Sequence, residues 1–323
     1  MFGQLVLCRR VAAGSALLTA CALIAGAESV AAATGAAPAR VSVSRLVGRA
    51  VAECALPGTD KTIDQLWHPD MGAAIRYSRG RVGDIAFAVR TDDRFYGDRP
   101  DHVEWSASVV KAMLMVAYLD RPSVARRALD SYDNSLLRPM ITVSDNNAAD
   151  QVDEIVGSSG LDALARRVGM THFAAAAPIW GETQITARDQ TRFFLHIDSY
   201  IVARHRRYGM HLLASIVPSE RWGIGEVAPK GWTVYFKGGW GYGTGLLDHQ
   251  VALLKRGCAR VAIAVLTMYD GSHAYGKATL RGIFTRLLRG FPTLPARPRH
   301  RHPSSLRGKR PADGPLGSSG PSA

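Results

Sequence analysis

Ser108-Val109-Val110-Lys111 opens the apolar run Ala112-Met113-Leu114-Met115-Val116-Ala117-Tyr118. The run reads as a helix, and residues three apart on a helix share a face, so the Lys111 amine can reach the Ser108 hydroxyl. A serine at a helix start also has unbonded backbone N–H groups beside it, which suit a developing oxyanion. The amine acts as a base only while neutral, a state that burial and neighbouring cations favour. Alone the pattern is weak, because an N-capping serine followed by a surface lysine looks the same.

Two more stretches fall in line downstream. Ser144-Asp145-Asn146 follows the apolar segment Leu136 to Val143 and precedes a second helix containing Ala148, Val152 and Ile155. These residue types are ordinary helix caps, yet the serine could also relay a proton and the asparagine could orient a substrate amide. Lys237-Gly238-Gly239 ends the strand pattern Trp232-Thr233-Val234-Tyr235-Phe236. Paired glycines there would let an extended ligand approach the strand closely, and the lysine would offer a fixed charge to a carboxylate. A glycine-rich turn with an exposed lysine reads equally well from these residues alone.

Around these motifs the sequence predicts a hairpin from Gly83 to Gly97, a block of helices, three strands at Trp232–Lys237, Leu246–Leu253 and Ala259–Met268, and a last helix from Ala278 to Leu288. Strands at both ends with helices between them point to α+β, an antiparallel sheet flanked by terminal helices plus an all-helical lobe. A groove between sheet and lobe is the natural place for a site.

The order Ser-x-x-Lys, Ser-Asp-Asn, Lys-x-Gly resembles that of the active-site serine β-lactamases and penicillin-binding proteins, class A β-lactamases above all, over roughly Val41 to Leu294. The resemblance implies a sandwich-like α/β part beside a helical lobe, and acylation by a β-lactam or by a peptidoglycan stem ending in D-Ala-D-Ala. It implies that Ser108 attacks, Lys111 is base or proton shuttle, Ser144 passes the proton to the leaving nitrogen, and Asn146 positions the substrate. Lys237 would lie near Ser144 and the substrate carboxylate, with Gly239 beside the ligand. The backbone N–H groups of Ser108 and Trp240 would form the oxyanion hole, with no metal or cofactor required.

Three departures qualify that picture. Class A enzymes hold their hydrolytic water with a Glu-x-x-x-Asn pattern, and Gly169 to Thr186 lacks it; Glu182 is the sole acid there and reads equally as a charge favoured by a helix N-terminus. Gly238 stands where the family has Thr or Ser, removing a hydroxyl whose bond to a carboxylate is worth about 1.5 to 3 kcal/mol. Ser108 and Ser144 are separated by 36 positions, short for class A. Acylation therefore stays intact on paper while deacylation is expected to be slow. The alternatives are a wall-associated or penicillin-binding protein with impaired catalysis, and a D,D-peptidase-like enzyme.

The chain has 323 residues, 47% hydrophobic and 21% charged, which excludes disordered and fibrous classes. Arg9 and Arg10 precede an uncharged stretch from Val11 to Ala27, the layout of an export signal within residues 1–33, with cleavage after Ala27 or Ala33. Lipid attachment at Cys21 and an uncleaved anchor are the other readings, so any membrane attachment would run through the N-terminus. Removing that segment leaves Cys54 and Cys258 as either a disulfide or two buried thiols. The net charge of +13 invites a nucleic-acid partner, but residues 295–323 hold six basic side chains against Asp313, net +5, with no aromatic residue for base stacking. That Pro/Ser/Gly-rich segment reads as a disordered tail. The expectation is an exported, envelope-associated or extracellular monomer that binds no nucleic acid.

Overall fold

A computed structural model of the chain describes residues 54–295 apart from 242–245. The expected export signal, the candidate lipidation site at Cys21 and the basic tail beyond Pro295 lie outside the described residues. Five strands, β1 (Asp84–Arg90), β2 (Phe95–Asp98), β5 (Thr233–Gly241), β6 (Leu247–Arg256) and β7 (Ala259–Met268), form one antiparallel sheet in the order β2-β1-β7-β6-β5. Two further short strands, β3 (Glu104–Trp105) and β4 (Gln184–Ile185), pair separately. The sequence-predicted hairpin and three late strands are all present. The two groups join through β1 and β7, where Phe87 faces Val265.

Eleven described helices accompany the sheet: α1 (Ile63–Leu66), α2 (Met71–Arg79), α3 (Lys111–Asp120), α4 (Pro122–Ala125), α5 (Ser131–Thr142), α6 (Asn146–Val168), α7 (Ala187–Leu195), α8 (Ile197–Tyr200), α9 (Arg206–Ala214), α10 (Ile224–Val227) and α11 (His273–Leu287). The last begins at His273 rather than Ala278, because Ser272 caps it by accepting the Tyr275 N–H. α11, with α2 packed on it, lies against β6 and β7, whereas α7 lies against β1, β6 and β7. Ile85 to Val89 are consequently buried at every position and the strand reads as a continuous apolar run. α3 is buried on all sides from Lys111 to Leu119, packed by α5 and α6. α6 is two helices joined at Gly157, whose φ of 65° interrupts the helix.

Two links tie sequence-distant parts. Cys54 and Cys258 form a disulfide with Cα atoms 5.3 Å apart, fastening the start of the described chain to the β6–β7 turn. Asp198 in α8 accepts from Arg260 Nη1 (2.6 Å) and Nη2 (2.9 Å) and from Lys255 Nζ (2.6 Å), anchoring the helical lobe to β6 and β7. Burial alone would raise the Asp198 pKa, but the bonds from Arg260 and Lys255 override it and hold the carboxyl below its usual range. Asp198→Asn is expected to lower the unfolding free energy by about 3 kcal/mol at neutral pH. Because the folded-state pKa is depressed, the wild-type advantage should shrink as pH falls below about 4, which denaturant titrations across pH would read.

Candidate active site

Ser108 sits in a single 3-10 turn, Ala107–Val110, that leads directly into α3. Ala107 holds φ at 41°, a costly conformation for a residue with a Cβ. The turn is kept in place by the buried Val109 and Val110 below it and by the Ser106 N–H, which donates to the Thr183 carbonyl at 2.8 Å. Ser108 is 7% exposed and lines a cleft of about 370 Å³, with Trp180 on one wall and Trp240 on the other.

The Ser144-Asp145-Asn146 segment caps a helix and also receives two buried amines. Asp145 caps α6 by accepting the Ala148 N–H at 2.7 Å. That cap leaves Ser144 in a left-handed conformation, φ 56°, and turns its carbonyl and hydroxyl inward. Lys111 Nζ donates to the Ser144 carbonyl (2.6 Å), to Asn146 Oδ1 (2.7 Å) and, more weakly, to Ser144 Oγ (3.4 Å). Lys237 Nζ donates to the same Ser144 Oγ at 2.8 Å and to the Gly238 carbonyl at 2.9 Å. The three motifs therefore converge. Among the described residues, the hydrogen bonds of the Lys111 amine go to Ser144 and Asn146, not to the Ser108 hydroxyl that helical spacing alone suggested.

Burial lowers the Lys111 pKa to about 8, against the opposing fields of Asp145, Glu220 and Asp150. Lys237 is lowered by burial first and then by the Lys111 charge, with Glu220 acting the other way. Two adjacent buried ammonium groups are costly together, so the pair favours one proton fewer than two free lysines would carry. Glu220, half-buried at the end of the 3-10 turn Pro218–Glu220, carries a carboxyl raised by its own burial. It was missed in the sequence because it lies outside every motif, on a turn whose Val217 N–H bonds the Thr142 carbonyl two residues before Ser144.

The glycines after Lys237 also allow a close approach within the protein itself. A Cβ on Gly239 would lie 2.9 Å from the backbone nitrogens of both Ser108 and Val109, and one on Gly238 would lie 3.1 Å from the Trp222 ring. The close approach is to the protein's own Ala107–Val110 turn and to an indole, so Gly239 seats β5 against residues 106–109. Trp240 stacks on His273 with ring centroids 5.7 Å apart, and His273 Nδ1 bonds Asp248 Oδ1 at 2.6 Å. Glu182 belongs to the 3-10 turn Trp180–Glu182 but does not line the cleft; Trp180 does.

A sequence model of the β-lactamase enzyme family matches residues 134–289, which includes the second and third motifs. Over those residues the chain is similar to that family. The solved β-lactamase of Sphaerobacter thermophilus is 16% identical, with a TM-score of 0.60 over 69% of this chain and 97% of that one. An ancestral class A β-lactamase is 19% identical, with a TM-score of 0.59 over 69% of this chain and 100% of its own. The class A β-lactamase of Mycobacterium abscessus is also 19% identical, at 0.58 over 69% and 99%. No curated relative matches in sequence. At these identities the superfamily likeness is one of fold. Among the described residues no helix is long and apolar enough to cross a membrane.

The lowered Lys111 pKa has a thermodynamic counterpart. Between about pH 8 and pH 10.4 the unfolded chain binds the Lys111 proton and the folded one does not, so stability rises with pH across that window. Relative to a Lys111→Met variant, the wild type should gain up to about 3 kcal/mol over this range, measured by urea unfolding at each pH.

Proposed function

We propose that this chain is an exported β-lactamase-like serine hydrolase that forms an acyl-enzyme on Ser108 and releases it slowly. The observation that carries the reading is the shared hydroxyl: Ser144 Oγ receives hydrogen bonds from two buried lysines, Lys237 at 2.8 Å and Lys111 at 3.4 Å, beside a cleft that Ser108 lines. Neutral Lys111 takes the proton as Ser108 Oγ attacks the lactam carbonyl. The bond from that carbon to nitrogen then breaks, and Ser144 passes the proton from the lysine pair to the leaving nitrogen. The Ser108 and Trp240 N–H groups hold the oxyanion. Asn146, whose Oδ1 is engaged by Lys111, has its amide NH2 left for the substrate. Lys237 provides the positive charge near the substrate carboxylate.

The second reading, a penicillin-binding protein with little turnover, or a D,D-peptidase-like enzyme on peptidoglycan stems, is favoured by the loop composition. Glu182 is the only acid between Gly169 and Thr186 and does not line the cleft. Export is supported by the N-terminal charge and hydropathy pattern.

Incubation with a fluorescent penicillin and a chromogenic cephalosporin tests both readings. A covalent adduct on Ser108, absent in Ser108→Ala, is expected, with a colour change slower than labelling. Absence of any adduct would overturn the proposal. Lys111→Ala should cut the acylation rate by roughly two to four orders of magnitude. The wild-type rate should climb about tenfold per pH unit below the Lys111 pKa and level off above about pH 8, since the base must be neutral. A flat profile from pH 5 to 9 would rule out Lys111 as the base.

A further inference from the structure

The wall of the cleft next to Lys111 is an indole. Trp180 Nε1 donates to Asp150 Oδ1 at 2.7 Å, and the ring centroid lies 4.8 Å from Lys111 Nζ. Asp150 comes one helical turn after Asn146 on α6, so both face the cleft, and both line it with Ser108. Indole has one N–H donor and no acceptor. With that donor committed to Asp150, the ring offers nothing that can hold or deprotonate a water. Its π-face is instead turned to the Lys111 amine, a favourable contact. Pro178 and Ile179 extend the same apolar wall.

We infer that Trp180, anchored by Asp150, seals the Lys111 side of the cleft and sets the lifetime of the acyl-enzyme by keeping hydrolytic water off the ester. This rests on the acyl-enzyme reading above and deepens it. Deacylation requires a water oxygen to bond to the ester carbon while the bond from that carbon to Ser108 Oγ breaks. The water's proton ends on Oγ, and the acyl group leaves as an acid. Trp180 occupies the approach that such a water would need in order to lie near both the ester and Lys111. Trp180 and Asp150 are positioning residues in this scheme, acting on water through exclusion.

The test follows adduct mass over time after labelling with a penicillin, with acylation and release rates measured separately. Trp180→Ala is expected to raise the ratio of release to acylation at least about tenfold, the scale on which an admitted and activated water acts. Trp180→Phe, which keeps an apolar wall but loses the N–H, should fall between wild type and alanine. Asp150→Ala frees the indole and should shorten the adduct lifetime as well. An unchanged or longer lifetime in Trp180→Ala overturns the inference. So does a longer lifetime in Asp150→Ala, which would make that carboxylate the base for water. If Trp180→Ala fails to fold, the phenylalanine and Asp150 variants decide the matter by the direction of the same ratio. A wild type that takes no adduct at all overturns the proposed function itself, an outcome distinct from an adduct whose lifetime ignores Trp180.

Discussion

Two lysines donating to one serine hydroxyl is the constraint around which the rest of the site is arranged. Lys111 and Lys237 come from a central helix and an edge strand, and both are almost wholly buried. Neither amine has a carboxylate within salt-bridge distance among the described residues; Glu220 and Asp145 act on Lys111 only through their fields. Nature usually neutralises buried cations by direct pairing, since desolvation is expensive. Here the protein uses carbonyl and hydroxyl oxygens, which satisfy the donors without fixing the charge. Solvation by dipoles lets the amines lose a proton near neutrality, whereas a tight ion pair would lock them as ammonium.

Holding oxygens in that arrangement has a backbone cost, and the structure shows where it falls. Ala107 and Ser144 both adopt positive φ. One sits immediately before Ser108, and the other supplies the carbonyl and hydroxyl that receive the lysines. Strain persists only where neighbours over-determine the conformation. Around Ala107 the neighbours are the Ser106–Thr183 backbone bond and β5, which presses against the turn through Gly239. Around Ser144 they are the Asp145 cap and the two amines. Helix capping and the candidate chemistry are therefore one feature, and the capping reading of Ser144-Asp145-Asn146 did not compete with the functional one.

The fold was legible because its signals are local. Alternation and apolar runs placed the hairpin and the three late strands, and the motif order resembled that of one fold family. The short β3–β4 pair escaped because two residues carry no period, and it forms only where Ser106 meets Thr183. Within the site, Lys237 near Ser144 follows from the motif pattern, but the target of Lys111 does not, since a flexible four-carbon stem can reach several oxygens. Glycines were read as room for a ligand because sequence shows the missing Cβ and not what fills the space. Glu220, Asp150 and Trp180 lie outside the motifs and become site residues only through tertiary packing.

In the proposed reading, the shared fold and the turnover it supports part company at the loop from Gly169 to Thr186. The Ala107–Val110 turn, the two lysines and Ser144 are held by α3, the start of α6 and β5, with both lysines and Ser144 themselves buried. The loop meets this frame through Thr183 and Gly181 on Ser106 and Trp180 on Asp150, and a bridge between Ala174 and Gln184 closes it on itself. A surface segment of this kind can change its residues without disturbing the core. In the proposed reading, acyl transfer to Ser108 draws on the rigid frame, while release of the acyl group draws on whatever the loop places beside Lys111. In the proposed scheme, an indole at that position favours a long-lived ester, because the ring shields the Lys111 side of the cleft and itself accepts no proton.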